Sequence, residues 1–182
     1  GLYCGLCPRF QSTAKSKCLG CQLGENHDYC SLYSCCHKNH GHFTCAECEQ
    51  YPCEKLIRVL GIEEGIDSFI SHKQALPNLG RIREVGMGKF LDEQKGRRLL
   101  AEMLINEYNE GRSMTFYCAA CTLMPTEYIE RATDAAKAEI KIKHINNYNL
   151  KARAKLMKTA IQQEADKANI DIKLREVKRG KN

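Results

Sequence analysis

The sequence carries twelve cysteines, and all but Cys118 and Cys121 lie within its first 53 residues. Six of them form three Cys-x-x-Cys pairs, Cys4/Cys7, Cys18/Cys21 and Cys45/Cys48, with Cys30, Cys35, Cys36 and Cys53 in the gaps. A tight turn between two such cysteines directs both sulfurs inward, so a pair can address one Zn²⁺ ion or one iron–sulfur cluster. Residues 1–54 show no helical periodicity and hold few Leu, Ile or Val side chains. Such a segment cannot bury a core of its own. Metal is expected to supply much of its folding free energy, on the order of 10 kcal/mol for a structural zinc site.

Disulfides are the competing use of so many thiols, but a disulfide scaffold has no need of repeated Cys-x-x-Cys pairs. The sequence shows no basic n-region, apolar h-region and small-residue cleavage site in series. Nor does it contain an apolar run long enough to cross a bilayer. The expected setting is a reducing cytoplasm, with no membrane partner.

A structural zinc takes four ligands in a tetrahedron. Cys4/Cys7 and Cys18/Cys21 are separated by ten residues, close to zinc-ribbon spacing. Cys30, Cys35, Cys45 and Cys48 can supply a second set, with Cys36 and Cys53 in reserve. An interleaved arrangement, in which the first pair joins Cys30 and Cys35, is equally open. The candidate ligands are therefore Cys4, Cys7, Cys18, Cys21, Cys30, Cys35, Cys45, Cys48 and Cys53, enough for about two zinc sites. Cys36 reads as a spare thiol, because adjacent residues rarely reach one metal without strain. His27, His37, His40 and His42 read as loop histidines, with His37 and His40 the nearest to ligands among them.

The alternative cofactor is a pair of [4Fe–4S] clusters, which also need four thiolates each, although the ferredoxin run ending in Cys-Pro is absent. The segment Cys18-Leu-Gly-Cys21-Gln-Leu-Gly24 reads as a knuckle turn with N–H···S geometry. Zinc ribbons and rubredoxin-type iron sites share that turn. Cys118 and Cys121, on one helical face, read first as buried core thiols. A redox dithiol or a contribution to an N-terminal metal site remain open beside that reading.

From Glu54 the pattern becomes helical, giving two domains: a Cys-rich module over 1–54 and a mainly helical domain over 55–182. Leu56, Ile57 and Leu60 make one short face ended at Gly61, and Ile66, Phe69 and Ile70 make another. Pro77, Gly80, Gly86 and Gly88 predict turns or helix ends. A longer helix is expected from about Lys89 to Asn109, with Leu100, Met103, Leu104 and Tyr108 inward and Gly111 as its stop. The run Met114 to Met124 predicts a buried helix, broken by Pro125. Thr126 starts a helix that continues to Lys143. His144–Asn149 interrupts it before a last helix lined by Leu150, Ala154, Met157 and Ile161. The alternation Ile170, Ile172, Leu174 predicts a short strand or an extended docking segment.

The net charge is +6. Residues 126–182 carry fourteen basic and eight acidic side chains, so the excess lies in the last third. A solvated Lys-rich helix surface is the plain reading, and nucleic acid the specific one. No Ser/His/Asp arrangement or P-loop is present, and Gly86-Met87-Gly88 lacks the third glycine of a dinucleotide turn. An all-Cys ligand set points to closed, structural sites, and catalysis is not the favoured reading.

The opening Gly1-Leu2-Tyr3-Cys4-Gly5-Leu6-Cys7-Pro8 resembles the start of an uncharacterised cysteine-rich family of anaerobic archaea and bacteria, whose members begin Cys-Gly-Leu-x-Cys-x-x-Cys-Pro. The likeness continues through Cys18-x-x-Cys21, Cys30-x-x-x-x-Cys35 and Cys45-Ala-Glu-Cys48-Glu-Gln-Tyr-Pro-Cys53. It reaches Ser71-His72-Lys73, Asn109-Glu110-Gly111-Arg112-Ser113 and Phe116-Tyr117-Cys118. The resemblance implies zinc binding and no established activity. It also implies that the motif's first cysteine falls immediately before Gly1, and that Cys36 and Cys121 are extras.

The expected function is that of a metal-binding accessory or interaction protein whose partner is another protein. An iron–sulfur protein passing electrons to a partner enzyme is the alternative. A nucleic-acid binder using Lys137 to Lys158 is the second.

Overall fold

A computed structural model describes residues 1–20, 23, 29–60 and 65–176. Eight α-helices are found among them: α1 Pro8–Gln11, α2 Ser31–Tyr33, α3 Glu54–Leu60, α4 Ala75–Val85, α5 Met87–Tyr108, α6 Met114–Leu123, α7 Thr126–Ile142 and α8 Leu150–Lys167. The described residues among the first 53 otherwise hold 3₁₀ turns at Cys4–Leu6 and Cys45–Glu47 and a π-helical segment over Ser34–Asn39. Cys21, Gly24, His27 and Gly61, each given a role from the sequence, lie outside the described residues.

The larger core is built by the helices the periodicity foretold. Ala101, Leu104 and Tyr108 of α5 meet Tyr117, Ala120 and Cys121 of α6, Ile129, Ala132 and Ala136 of α7, and Met157, Ile161 and Ala165 of α8. Small residues recur at the α7–α8 seam, where Ala132, Ala136, Ala154 and Ala165 are buried and allow the two helices to pack closely. Tyr117 is fully buried and its hydroxyl donates to the Tyr108 carbonyl at 3.1 Å, so the phenol is satisfied. Arg97 of α5 donates through Nη1 to the carbonyls of Cys121 and Met124 (3.0 and 2.6 Å), caps the end of α6 and answers carbonyls left orphaned there.

A second, smaller core joins Ala46, Leu56, Leu60, Ala75, Leu79, Ile82 and Phe90. Helix α5 serves both cores, Phe90 at one end and Leu104 and Tyr108 at the other. Its 22 residues span about 33 Å, long enough to do so. The Cys-rich segment is not separate from either core. Leu6 is 2 % exposed inside the larger core, and Ala46 is 5 % exposed inside the smaller.

Two expectations are corrected, and a third resolves to one of its two forms. Gly80, read as a turn or helix end, lies inside α4, whereas Pro77 does lie at a helix end. Pro77 sits in its first turn, where a missing N–H costs no intrahelical bond. A side chain at Gly80 would meet only the Tyr51 hydroxyl at 3.7 Å, so packing holds the helix despite the glycine. Gly86, at φ 83, does end α4.

Ile66, Phe69 and Ile70 form no helix. Ile70 is buried, but Ile66 and Phe69 are more than half exposed, and the guanidinium of Arg9 lies 4.8 Å over the Phe69 ring. The segment is organised by Asp67 instead. The alternation at Ile170–Leu174 makes no strand among the described residues. It is an extended docking segment: Ile172 is buried in the larger core, while the backbone N–H of Asp67 donates to the Arg175 carbonyl at 3.0 Å. No neighbouring strand edge is available there, so hydrophobic burial and Asp67 replace ladder hydrogen bonds.

Candidate metal centre

Five of the N-terminal cysteines line one cavity. Cys35, Cys36, Cys45, Cys48 and Cys53 surround a space of about 30 Å³, with His40 and His42 at its wall and Leu32, Tyr51 and Leu56 closing it. A single water-sized body needs ~10–15 Å³, so the space has room for an ion.

The scaffold around it is held from several sides. Cys35 and Cys36 come from the π-helical segment, whose turn is wider than that of an α-helix. The loop that follows is closed by the His42 N–H donating to the Cys36 carbonyl at 2.9 Å, with the Cys36 thiol 3.5 Å from the His42 carbonyl. The Cys45–Cys48 turn is capped by Thr44, whose hydroxyl oxygen accepts from the Ala46 N–H at 3.4 Å. Glu47 accepts from the Phe43 N–H at 3.0 Å and lies 4.0 Å from His42 Nδ1.

Helix α4 clamps the same turn from outside. Arg83 Nη1 donates to the carbonyls of Ala46 (2.9 Å) and Cys48 (3.0 Å), and its guanidinium lies 5.3 Å from the centre of the Tyr51 ring. Tyr51 in turn donates its hydroxyl to the Leu76 carbonyl at 3.0 Å. Arg83 carried no motif signal, and Tyr51 stood in the Cys45–Cys53 run without a role of its own. An arginine that braces backbone carbonyls across 35 residues is visible only once the chain is folded.

Cys36, read as the spare thiol, is the buried one among the described N-terminal cysteines and lines the cavity beside Cys45. Burial pushes the Cys36 thiol up to about 12, and neighbouring Cys45, Glu47 and Cys35 push the same way. Burial also raises the Cys45 thiol, although a hydrogen bond with Cys36 pulls against it. Low dielectric and mutual repulsion favour the neutral thiols of Cys36 and Cys45. Cys53, held in reserve on spacing, is at the same wall. Of the histidines, His40 and His42 line the cavity with rings stacked at 5.8 Å, whereas His37 stacks on Tyr33 at 4.5 Å, away from the lining.

Cys4 and Cys18 meet at a second place, around Gly20. The Cys18 thiolate position accepts from the Gly20 N–H at 3.4 Å, the N–H···S contact expected of a knuckle. Gly20 has φ 87, and a Cβ there would sit 3.4 Å from Cys4 Sγ, so Cys4 lies against that knuckle. This places Cys4 of the first pair beside the turn that follows Cys18. Cys30 is not among the residues lining the cavity, and its sulfur accepts from the Tyr33 N–H at 3.4 Å at the start of α2. Cys35 lines the cavity with Cys45 and Cys48.

Cys118 and Cys121 are 1 % and 0 % exposed within α6. Burial pushes both thiols up to about 12, Cys118 with added repulsion from Cys121 and Cys7. Both are core thiols, and Cys118 lies within electrostatic reach of Cys7. Among the described residues, no three Cys, His, Asp or Glu side chains stand close enough together to hold an ion as placed. The donor set is assembled around one cavity, and a bound ion would have to draw the sulfurs inward to about 2.3 Å. No helix among the described residues is long and apolar enough to cross a membrane.

No family model matches this chain, and neither the curated proteins nor the solved structures contain a significant match to it.

Proposed function

We propose that the protein binds zinc structurally and acts as an accessory protein that engages another macromolecule. The observation that carries this reading is the gathering of Cys35, Cys36, Cys45, Cys48 and Cys53 around one ion-sized cavity. Thiolates are soft ligands suited to zinc, and a set made of sulfur leaves no open position for catalysis. Cys4, Cys7 and Cys18 would contribute to a second site through the knuckle at Gly20. Zinc supplies the folding free energy that the apolar content of residues 1–54 cannot. The bound ion would fix the Cys45–Cys48 turn on α4, where Arg83 already braces it.

Metal analysis of protein purified without oxygen tests the reading. Zinc in a colourless preparation is expected. Iron with broad visible absorption would replace zinc by the electron-transfer reading, and neither metal would defeat both. A pair of variants sharpens the test. Cys36→Ser and Cys45→Ser are both expected to lower zinc content, because both thiols face the cavity. Full zinc retention by Cys36→Ser would return Cys36 to the role of a spare.

A further inference from the structure

The tip of the α7–α8 hairpin is the most basic part of the described chain. Residues 140–163 carry six basic side chains and no acid. Lys141 sits in the last turn of α7 and Lys151 and Lys155 in the first turns of α8, all exposed and without an acidic partner. The nearest acid in sequence, Glu139, is engaged with Lys143 at 2.6 Å. Arg153 is turned inward, its guanidinium 4.8 Å over the Tyr108 ring, and Lys158 is held by Glu110 at 3.2 Å.

Between the helices an aromatic ring is held in solvent. Tyr148 is 96 % exposed, and Ile142 beside the loop is 75 % exposed. The loop is fastened by its own hydrogen bonds. Asn146 Oδ1 accepts from the N–H groups of Tyr148 and Asn149 (each 3.0 Å), and Asn149 Oδ1 caps α8 by accepting from Ala152 N–H at 3.2 Å. Arg153 Nη1 donates to the Asn147 carbonyl at 3.4 Å, and His144 takes a left-handed φ of 51. This bonding fixes the backbone that carries Tyr148, although the ring gains no burial from it.

A ring presented on an ordered loop, with lysines on both flanking helices, suits a polyanion whose units have flat faces. We propose that this tip binds single-stranded nucleic acid, Tyr148 stacking on a base while Lys141, Lys151 and Lys155 meet the phosphates. Base stacking on aromatic side chains is sequence-tolerant, and lysine contacts follow the backbone. An acidic peptide would use the charge and leave the ring idle. A lipid surface would want a broad apolar face, and the tip offers two separate apolar side chains.

Fluorescence anisotropy of a short labelled oligo(dT) with the full chain tests the proposal. Binding at low salt is expected, weakening with a slope of log K against log salt of about −2 for three phosphate contacts. Tyr148→Ala should weaken binding about tenfold, and Tyr148→Phe should keep it, since only the ring face is used. Lys151→Glu with Lys155→Glu should remove binding, whereas Lys89→Glu with Lys95→Glu changes net charge equally at exposed sites on α5 and should leave it largely intact. The proposal is overturned by no binding at low salt, or by equal losses from the two double variants. Affinity unchanged in Tyr148→Ala would overturn it too, as would a preference for phosphatidylserine vesicles over the oligonucleotide.

Discussion

Removing zinc with a chelator at about pH 7 is expected to unfold residues 1–54 and to lower the melting temperature of the helices as well. A structural zinc site is worth ~10 kcal/mol or more, as large as the whole stability of a typical domain. The helices follow because the two parts share cores. Leu6 is buried with Leu104, Tyr117 and Ile161, and Ala46 is buried with Leu56, Leu79 and Phe90. Losing the first segment would uncover part of each core and free Arg83 from its two carbonyls. Helical circular dichroism during heating, with and without chelator, gives the measurement. One transition shifted downward is expected, with recovery on adding zinc. Superimposable melts would show that the segment folds without metal, and an unshifted second transition would show that the helices stand alone.

Asp67→Ala is expected to destabilise the fold by about 3–5 kcal/mol, the usual cost of removing one partner of a buried ion pair. The Asp67 side chain is fully buried and Arg175 is 19 % exposed. The carboxylate accepts from Arg175 through its backbone N–H (2.9 Å), Nε (3.2 Å) and Nη2 (2.8 Å), and from the His72 N–H at 2.9 Å. It therefore fastens the segment carrying Ile172 to the loop before α4. Urea unfolding of both proteins measures the difference, and a loss below about 1 kcal/mol would place the bridge among ordinary surface pairs.

The same pair sets a pH signature. Burial alone would raise the Asp67 carboxyl, but hydrogen bonds from Arg175 and His72 outweigh it and hold the group below the usual carboxylate range. A depressed carboxylate stabilises the folded state fully above its unfolded value, near 4, and loses that contribution as pH falls through the lower folded value. The difference between wild type and Asp67→Ala should therefore be constant from about pH 7 to 5 and shrink below about pH 4.

Local pattern was enough wherever an element is decided by its own side chains. Apolar spacing located α5 through α8 and the inward positions Leu104, Tyr108, Met157 and Ile161, because a long amphipathic helix buries the face its sequence provides. Cysteine spacing singled out the thiol-rich segment, and the turn at Cys18 has the predicted N–H···S contact. Pattern failed where a distant partner decides. Gly80 argued against a helix that the Leu79–Phe90 core nevertheless holds. Ile66 and Phe69 suggested a helical face, yet the buried Asp67 between them is tied to a residue more than 100 positions away.

The amino-acid order alone therefore establishes that this chain has a thiol-rich first third, a helical remainder and a basic end, since composition and period are local properties. Which sulfurs share a cavity is a matter of long-range packing. Adjacent Cys35 and Cys36 both reach the wall because of a π-helical segment, and Cys45 and Cys48 arrive through a turn braced by Arg83 of α4. Spacing counts residues along the chain, whereas a metal centre depends on distances across it, and those follow from the cores that bring α4 and the Cys-rich segment together.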